Sequence, residues 1–182
     1  MKVFLIMVQS INGKIRMSGN EQRSWSSKED MENFQKITQD IGIVIMGRKT
    51  FQEIGKPLKD RINIVLTGTP EKFNEYEQKY RKEIYFTDKP PEILLRNLEE
   101  NGFNEVALIG GPTINSLFLE KDLIDEIFLT IEPVIIEGDL SVFKYVNIKY
   151  EFSLKDFKKL NENTMLLHYV KKNNEIKKEG SK

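Results

Sequence analysis

Cysteine is absent from this chain, which excludes disulfides and thiolate chemistry. Histidine occurs once, as His168 in the alternating stretch LLHYVKK, which argues against a histidine-built zinc site and against a Ser-His-Asp triad. No apolar run approaches the roughly 18 residues that a membrane span needs. The opening MKVFLIMVQS is apolar over only a few residues and lacks a small-residue cleavage site, so it reads as a first strand rather than a signal peptide. Charge of one sign is missing as well. The 28 basic residues balance 28 acidic ones, so no net field draws the chain to nucleic acid or to an anionic membrane. These absences leave a soluble cytoplasmic protein.

What is present is a rhythm. At 182 residues the chain is long enough for one domain with a sizeable core. Apolar runs of strand length occupy 2–9, 43–46, 62–66, 84–86 and 106–109. Stretches with helical spacing or good helix formers lie between and after them at 28–39, 50–54, 91–101 and 113–119. Runs such as IVIM and VALI are apolar on both faces, as a sheet covered on both sides requires. A strand at 126–133 ends at a proline, Glu137-Gly-Asp marks a turn, and 150–158 with 165–171 flank Leu160-Asn-Glu-Asn as a hairpin. The expected fold is therefore α/β: a single-domain, mostly parallel twisted sheet with helices on both faces and a C-terminal antiparallel hairpin. Residues 1–170 form the expected domain, and 171–182, charged and patternless, read as a disordered tail. The long apolar stretch 127–136 reads as an exposed strand and hints at a homodimer.

Two glycine turns follow strands and precede helices. Met46-Gly-Arg-Lys-Thr sets Gly47 where backbone can approach a ligand, with Arg48 and Lys49 as cations for phosphate oxygens. Ile109-Gly-Gly-Pro-Thr is the second, with Pro112 suited to a first helical turn. Neither has the spacing of a Rossmann fingerprint or a P-loop. A ligand reaching both turns at the carboxyl ends of one parallel sheet would be dinucleotide-sized. Asp30 poses the remaining question. Ser26-x-x-Glu29 and Ser27-x-x-Asp30 both fit a capping box. If Glu29 serves as box acid with Ser26, Asp30 is left on a helix face shared with Phe34 and Ile37, and an acid there is costly without a partner.

The motifs resemble those of the dihydrofolate reductase family over about residues 1–170. SINGKI (10–15), Trp25 five residues before Asp30, Phe34, IMGRKTFQEIGKPLKDR (45–61), IGG (109–111) and LTIEPVIIEGD (129–139) follow the family's order. The resemblance implies hydride transfer from NADPH to 7,8-dihydrofolate, giving tetrahydrofolate. It implies Asp30 as the carboxylate gripping the pterin's paired donors, supported by Thr130 with Trp25 beside it, and Val8, Phe34 and Arg61 as substrate contacts, Arg61 for the α-carboxylate. For the cofactor it implies Ile15 at the nicotinamide, Gly47, Arg48, Lys49 and Thr50 at the phosphates, Thr67 at the adenosine end, and Ile109, Gly110 and Gly111 at the pyrophosphate, with a cis Gly110–Gly111 bond. Val8 is expected to flank the nicotinamide together with Ile15. Arg23, Ser24, Pro112 and Asn115 depart from the family's usual residues. The alternatives are the same-fold pyrimidine reductase of riboflavin biosynthesis and a non-catalytic nucleotide-binding module. Asp30 together with Arg61 discriminates against the first, since a pterin needs the acid and a glutamate tail the arginine.

Overall fold

The computed structural model describes residues 1–17, 25–146 and 149–172. One eight-stranded sheet runs β4-β3-β2-β5-β1-β6-β8-β7. Its strands are β1 (Lys2–Ser10), β2 (Ile43–Gly47), β3 (Ile62–Leu66), β4 (Ile84–Thr87), β5 (Glu105–Leu108), β6 (Glu126–Glu132), β7 (Phe152–Lys159) and β8 (Met165–Lys171). The helices are α1 (Lys28–Ile41), α2 (Arg48–Ile54), α3 (Asn74–Lys79), α4 (Pro91–Glu100) and α5 (Pro112–Glu120). Strands β1 to β6 pair parallel, and β8 joins β6 antiparallel and carries β7. The expected architecture is thus the observed one. A 3-10 turn at Pro70–Phe73 and helix α3, neither of them expected from the sequence, cover the β3–β4 end.

The period-two alternation sorts the strands into two cores. Val3, Leu5, Ile45, Leu108 and Ile127 pack with Leu94 and Leu95 of α4 and Phe118 of α5. Phe4, Ile6, Val44, Met46 and Val65 pack on the other face with Phe51 of α2 and with Phe34, Ile37 and Ile41 of α1. This two-sided burial explains why β2 and β5 carry near-continuous apolar runs. After β4 the chain returns to insert β5 between β2 and β1, then adds β6 beyond β1. The carboxyl ends of β1, β2 and β5 therefore border a crevice at the point where the order of addition reverses, the usual ligand position in such sheets.

One expectation changes. The stretch 127–136 is no exposed strand: β6 ends at Glu132 and lies between β1 and β8, so both its edges are paired. Beyond it Pro133 and Ile135 are exposed, and Ile136 is buried. At the end of the domain Lys171 closes β8, as the expected strand 165–171 has it, and the Lys172 amide donates to the Glu151 carbonyl at 3.0 Å. The rest of the charged tail lies outside the described residues, as do Arg23 and Ser24. Among the described residues no helix is long and apolar enough to cross a membrane, and no cluster of three or more potential metal ligands occurs.

His168 belongs to a sheet contact. Its ring stacks on Phe128, its register partner, and its Nε2 meets Glu126 Oε2. Lys2 Nζ lies 2.5 Å and Lys155 Nζ 3.7 Å from Glu126 Oε1. Burial alone would raise the Glu126 carboxyl, but hydrogen bonds from Lys2 and His168 and the charges of Lys2 and Lys155 outweigh it and hold it below its ordinary value of 4.5. A depressed carboxyl stabilises the fold above its unfolded-state pKa and loses that contribution as pH falls through the folded value. Denaturation of wild type and Glu126→Gln between about pH 7 and about pH 3 should show the wild-type advantage shrinking below about 4.5. An advantage constant over that range would contradict the assignment.

Candidate functional site

A cleft of about 760 Å³ opens at the carboxyl ends of β1, β2, β3 and β5. Gly47, Arg48, Lys49 and Thr50 line it at the β2–α2 turn, Ile109 and Gly111 at the β5–α5 turn, Thr67 after β3, and Ile15 after β1. Of the residues expected at a cofactor, Val8 and Gly110 are not on the wall. Gly110 stands behind it. Its carbonyl accepts the Gly47 amide at 2.8 Å and so ties the two glycine turns together. The Gly110–Gly111 bond is cis, as expected from the resemblance, and Gly110 has φ +97°.

Glycine spares both turns a close contact. A Cβ on Gly47 would stand 2.8 Å from Ile114 Cγ1, and one on Gly111 would stand 3.3 Å from Thr50 Oγ1. Neither α2 nor α5 has a side-chain N-cap. Four cationic residues line the cleft, Arg16, Arg48, Lys49 and Lys144, against one carboxylate, Glu53, which Arg16 Nη1 contacts at 2.9 Å. Arg48 and Lys49 form no ion pair among the described residues. This excess of positive charge over glycine-lined backbone suits a phosphate-bearing ligand. Nothing in the sequence singles out Arg16 and Lys144. They reach the cleft from connections whose paths depend on the tertiary fold.

One of those paths rests on Gly138. A Cβ there would lie 2.2 Å from the Arg16 carbonyl oxygen, and the neighbouring Ile15 amide donates to the Leu140 carbonyl at 3.1 Å. Gly138→Ala must push apart two backbones that bring Ile15, Arg16 and Leu140 to the cleft. A loss of about 1–3 kcal/mol in stability is expected, together with weaker cofactor binding. Thermal melts and a cofactor titration check this; wild-type values in both would refute it.

The residues expected at the substrate stand on the α1 face, outside that cleft. Asp30 is only 7% exposed. The N-cap of α1 is Ser27, whose hydroxyl accepts the Asp30 amide at 3.2 Å, while the Ser26 hydroxyl donates to Asp30 Oδ2 at 2.7 Å. Glu29 is therefore not the box acid of Ser26: its carboxylate accepts from Asn161 Nδ2 at 3.2 Å instead. Val8 and Thr130 are register partners on β1 and β6, and alternation with Phe4, Ile6 and Phe128 places both on the face that α1 covers. Trp25 has a buried indole N–H with no acceptor among the described residues.

Phe34 and Thr38 continue the stripe from Asp30 at one-turn intervals. Thr38 Oγ1 accepts from Arg61 Nη1 at 2.6 Å, and Arg61 Nε donates to the Lys59 carbonyl at 2.8 Å. Arg61 is no solvated surface charge: it is 9% exposed and forms no ion pair among the described residues. Burial lowers its guanidinium from the ordinary value, partly opposed by Asp60, and the group remains a cation. An acid thus opens one helical stripe and an arginine docks at Thr38, two turns on, about 12 Å along the axis from Asp30 at ~1.5 Å per residue. Pro112 opens α5, and Asn115 is buried with its Nδ2 donating to the Val142 carbonyl at 2.7 Å.

Comparison with known proteins bears on family and fold. Residues 2–173 match the family model described as dihydrofolate reductase. The dihydrofolate reductase of Haemophilus influenzae is 30% identical over 159 residues, covering 87% of this chain and 89% of that protein. Among solved structures, a putative riboflavin biosynthesis protein from Shewanella sp. PV-4 superposes with TM-score 0.76 at 21% identity, over 94% of this chain and 99% of the other. A pyrimidine reductase-like protein from Corynebacterium diphtheriae gives 0.75 at 14% identity, over 95% and 92%. At such identities these two show a shared fold alone. With the family match running along nearly the whole chain, this protein belongs to the dihydrofolate reductase family.

Proposed function

We propose that the protein reduces 7,8-dihydrofolate to tetrahydrofolate at the expense of NADPH. The observation that carries this reading is a nearly buried Asp30 on an α1 stripe that runs through Phe34 to Thr38, where the nearly buried Arg61, from the connection before β3, is docked. A pterin presents an N–H and an amino group side by side, and a carboxylate accepts both in parallel. Asp30 in that role orients the ring and stabilises the protonated ring as charge develops. Phe34 offers a face for stacking, and Arg61, with donors left over after Thr38 and Lys59, receives the glutamate carboxylate. No second titratable side chain is assigned to proton delivery, which falls to water.

NADPH, when bound, supplies the hydride. The lining of the cleft fits it: Gly47 and Gly111 leave room for close approach, Arg48 and Lys49 suit the 2′-phosphate, and Thr50, Thr67 and Ile109 complete the contacts of its phosphate and adenosine portions, with Gly110 behind them holding the two glycine turns together. Ile15 and Val8 flank the ring end. The deciding experiment follows NADPH absorbance with dihydrofolate as acceptor. Oxidation supports the proposal. Oxidation only with a pyrimidine carrying a ribose phosphate would move the protein to the riboflavin-type reaction named for its structural neighbours, and cofactor binding without oxidation would leave a nucleotide-binding module.

A further inference from the structure

Glu132 is a carboxylate to which the proposed reaction gives no role. It ends β6, two residues after Thr130 and therefore on the same sheet face, and is 2% exposed. A buried carboxylate persists only when its oxygens are satisfied, and each of these is. Oε1 accepts from the Ser27 amide at 2.8 Å and the Ser27 hydroxyl at 2.6 Å, and Oε2 accepts from the Thr164 hydroxyl at 2.8 Å. Thr164 is itself buried, beside the β7–β8 turn.

The Ser27 hydroxyl that donates to Glu132 also accepts the Asp30 amide, and its neighbour Ser26 donates to the Asp30 carboxylate. In an ordinary capping box the acid at the third helical position reaches back to the N-cap amide. Here Glu132, from a strand far along the chain, takes that amide, and Asp30 is spared the duty. We propose that Glu132 is a positioning residue: by holding the Ser26–Ser27 turn it relieves Asp30 of helix capping and fixes the direction of its carboxylate toward substrate. This rests on Asp30 being the substrate acid.

The test compares Glu132→Leu, Glu132→Gln and Ser27→Ala in NADPH oxidation with dihydrofolate, beside cofactor affinity and melting temperature. Gln keeps an acceptor for both Ser27 donors and is expected within about threefold of wild type. Leu and Ser27→Ala are each expected to lower kcat/KM for dihydrofolate about tenfold or more, with NADPH affinity within about twofold, a loss of roughly 1.4 kcal/mol for each tenfold. Parallel losses of cofactor affinity and of kcat/KM would reduce Glu132 to a structural residue, as would wild-type kcat/KM in the Leu variant. If Leu cannot be accommodated, Ser27→Ala decides alone. Trp25, the only tryptophan, directly precedes the turn and gives a readout free of substrate. Its emission should shift in Glu132→Leu and Ser27→Ala and not in Glu132→Gln; an unchanged spectrum in the first two overturns the proposal. Wild type inactive on dihydrofolate would instead defeat the folate reading, with the Trp25 comparison still deciding whether Glu132 holds the turn.

Discussion

Asp30→Asn is expected to lower dihydrofolate turnover by on the order of a hundredfold or more while leaving NADPH binding intact. A carboxylate accepts along both oxygens, whereas an amide accepts at one and sets its own N–H against the pterin's donor at the other. The ground state loses a hydrogen bond, and the transition state also loses the negative charge that favours a protonated ring. Cofactor affinity is spared because Asp30 does not line the cleft that Gly47, Arg48 and Gly111 form. Ser26 can still donate to the remaining oxygen, so the start of α1 keeps its local order. Steady-state kinetics beside a cofactor titration separate the two effects. Unaltered turnover would remove Asp30 from the reaction.

Arg48→Ala should weaken NADPH by roughly 10- to 100-fold, the equivalent of a charge-assisted hydrogen bond worth about 1.5–3 kcal/mol, and should weaken NADH far less. Arg48 begins α2 on the wall of the cleft and forms no ion pair among the described residues, so its charge is not committed elsewhere. Lys49 beside it remains in the variant, which bounds the loss. The two dissociation constants, measured on wild type and variant, give the comparison directly. Equal loss for both cofactors would take the 2′-phosphate away from Arg48.

The cofactor half of the site is legible in the sequence because it is local. Gly47 and Gly111 are turn glycines flanked by the strand and the helix they join, and their neighbours in sequence are also their neighbours at the cleft. The order of strands and helices is legible for a similar reason, since periodicities of two and 3.6 reflect which faces are buried. Helix α3 escapes because its six residues bury none of their own side chains fully, so no apolar period announces it.

The substrate half needs the tertiary structure. Spacing alone offers Asp30 two roles, helix cap or ligand acid, and points to Glu29 as the residue that frees it. Instead Glu132, more than a hundred residues on, relieves the cap, and Glu29 turns to Asn161. Arg61 in the sequence suits solvent as well as a ligand, and its burial against Thr38 removes the first possibility. One clue is present in the chain: Glu132 interrupts an apolar strand at an inward-facing position two residues beyond Thr130, where an unpaired charge would be intolerable. The sequence by itself determined which residues are turns, cores and cations, because those follow from local stereochemistry and hydropathy. Which carboxylate takes the Ser27 amide was decided only by the fold, because the hydrogen bonds of Glu132 and Glu29 join the start of α1, β6 and the last hairpin, segments that meet only when the sheet is assembled.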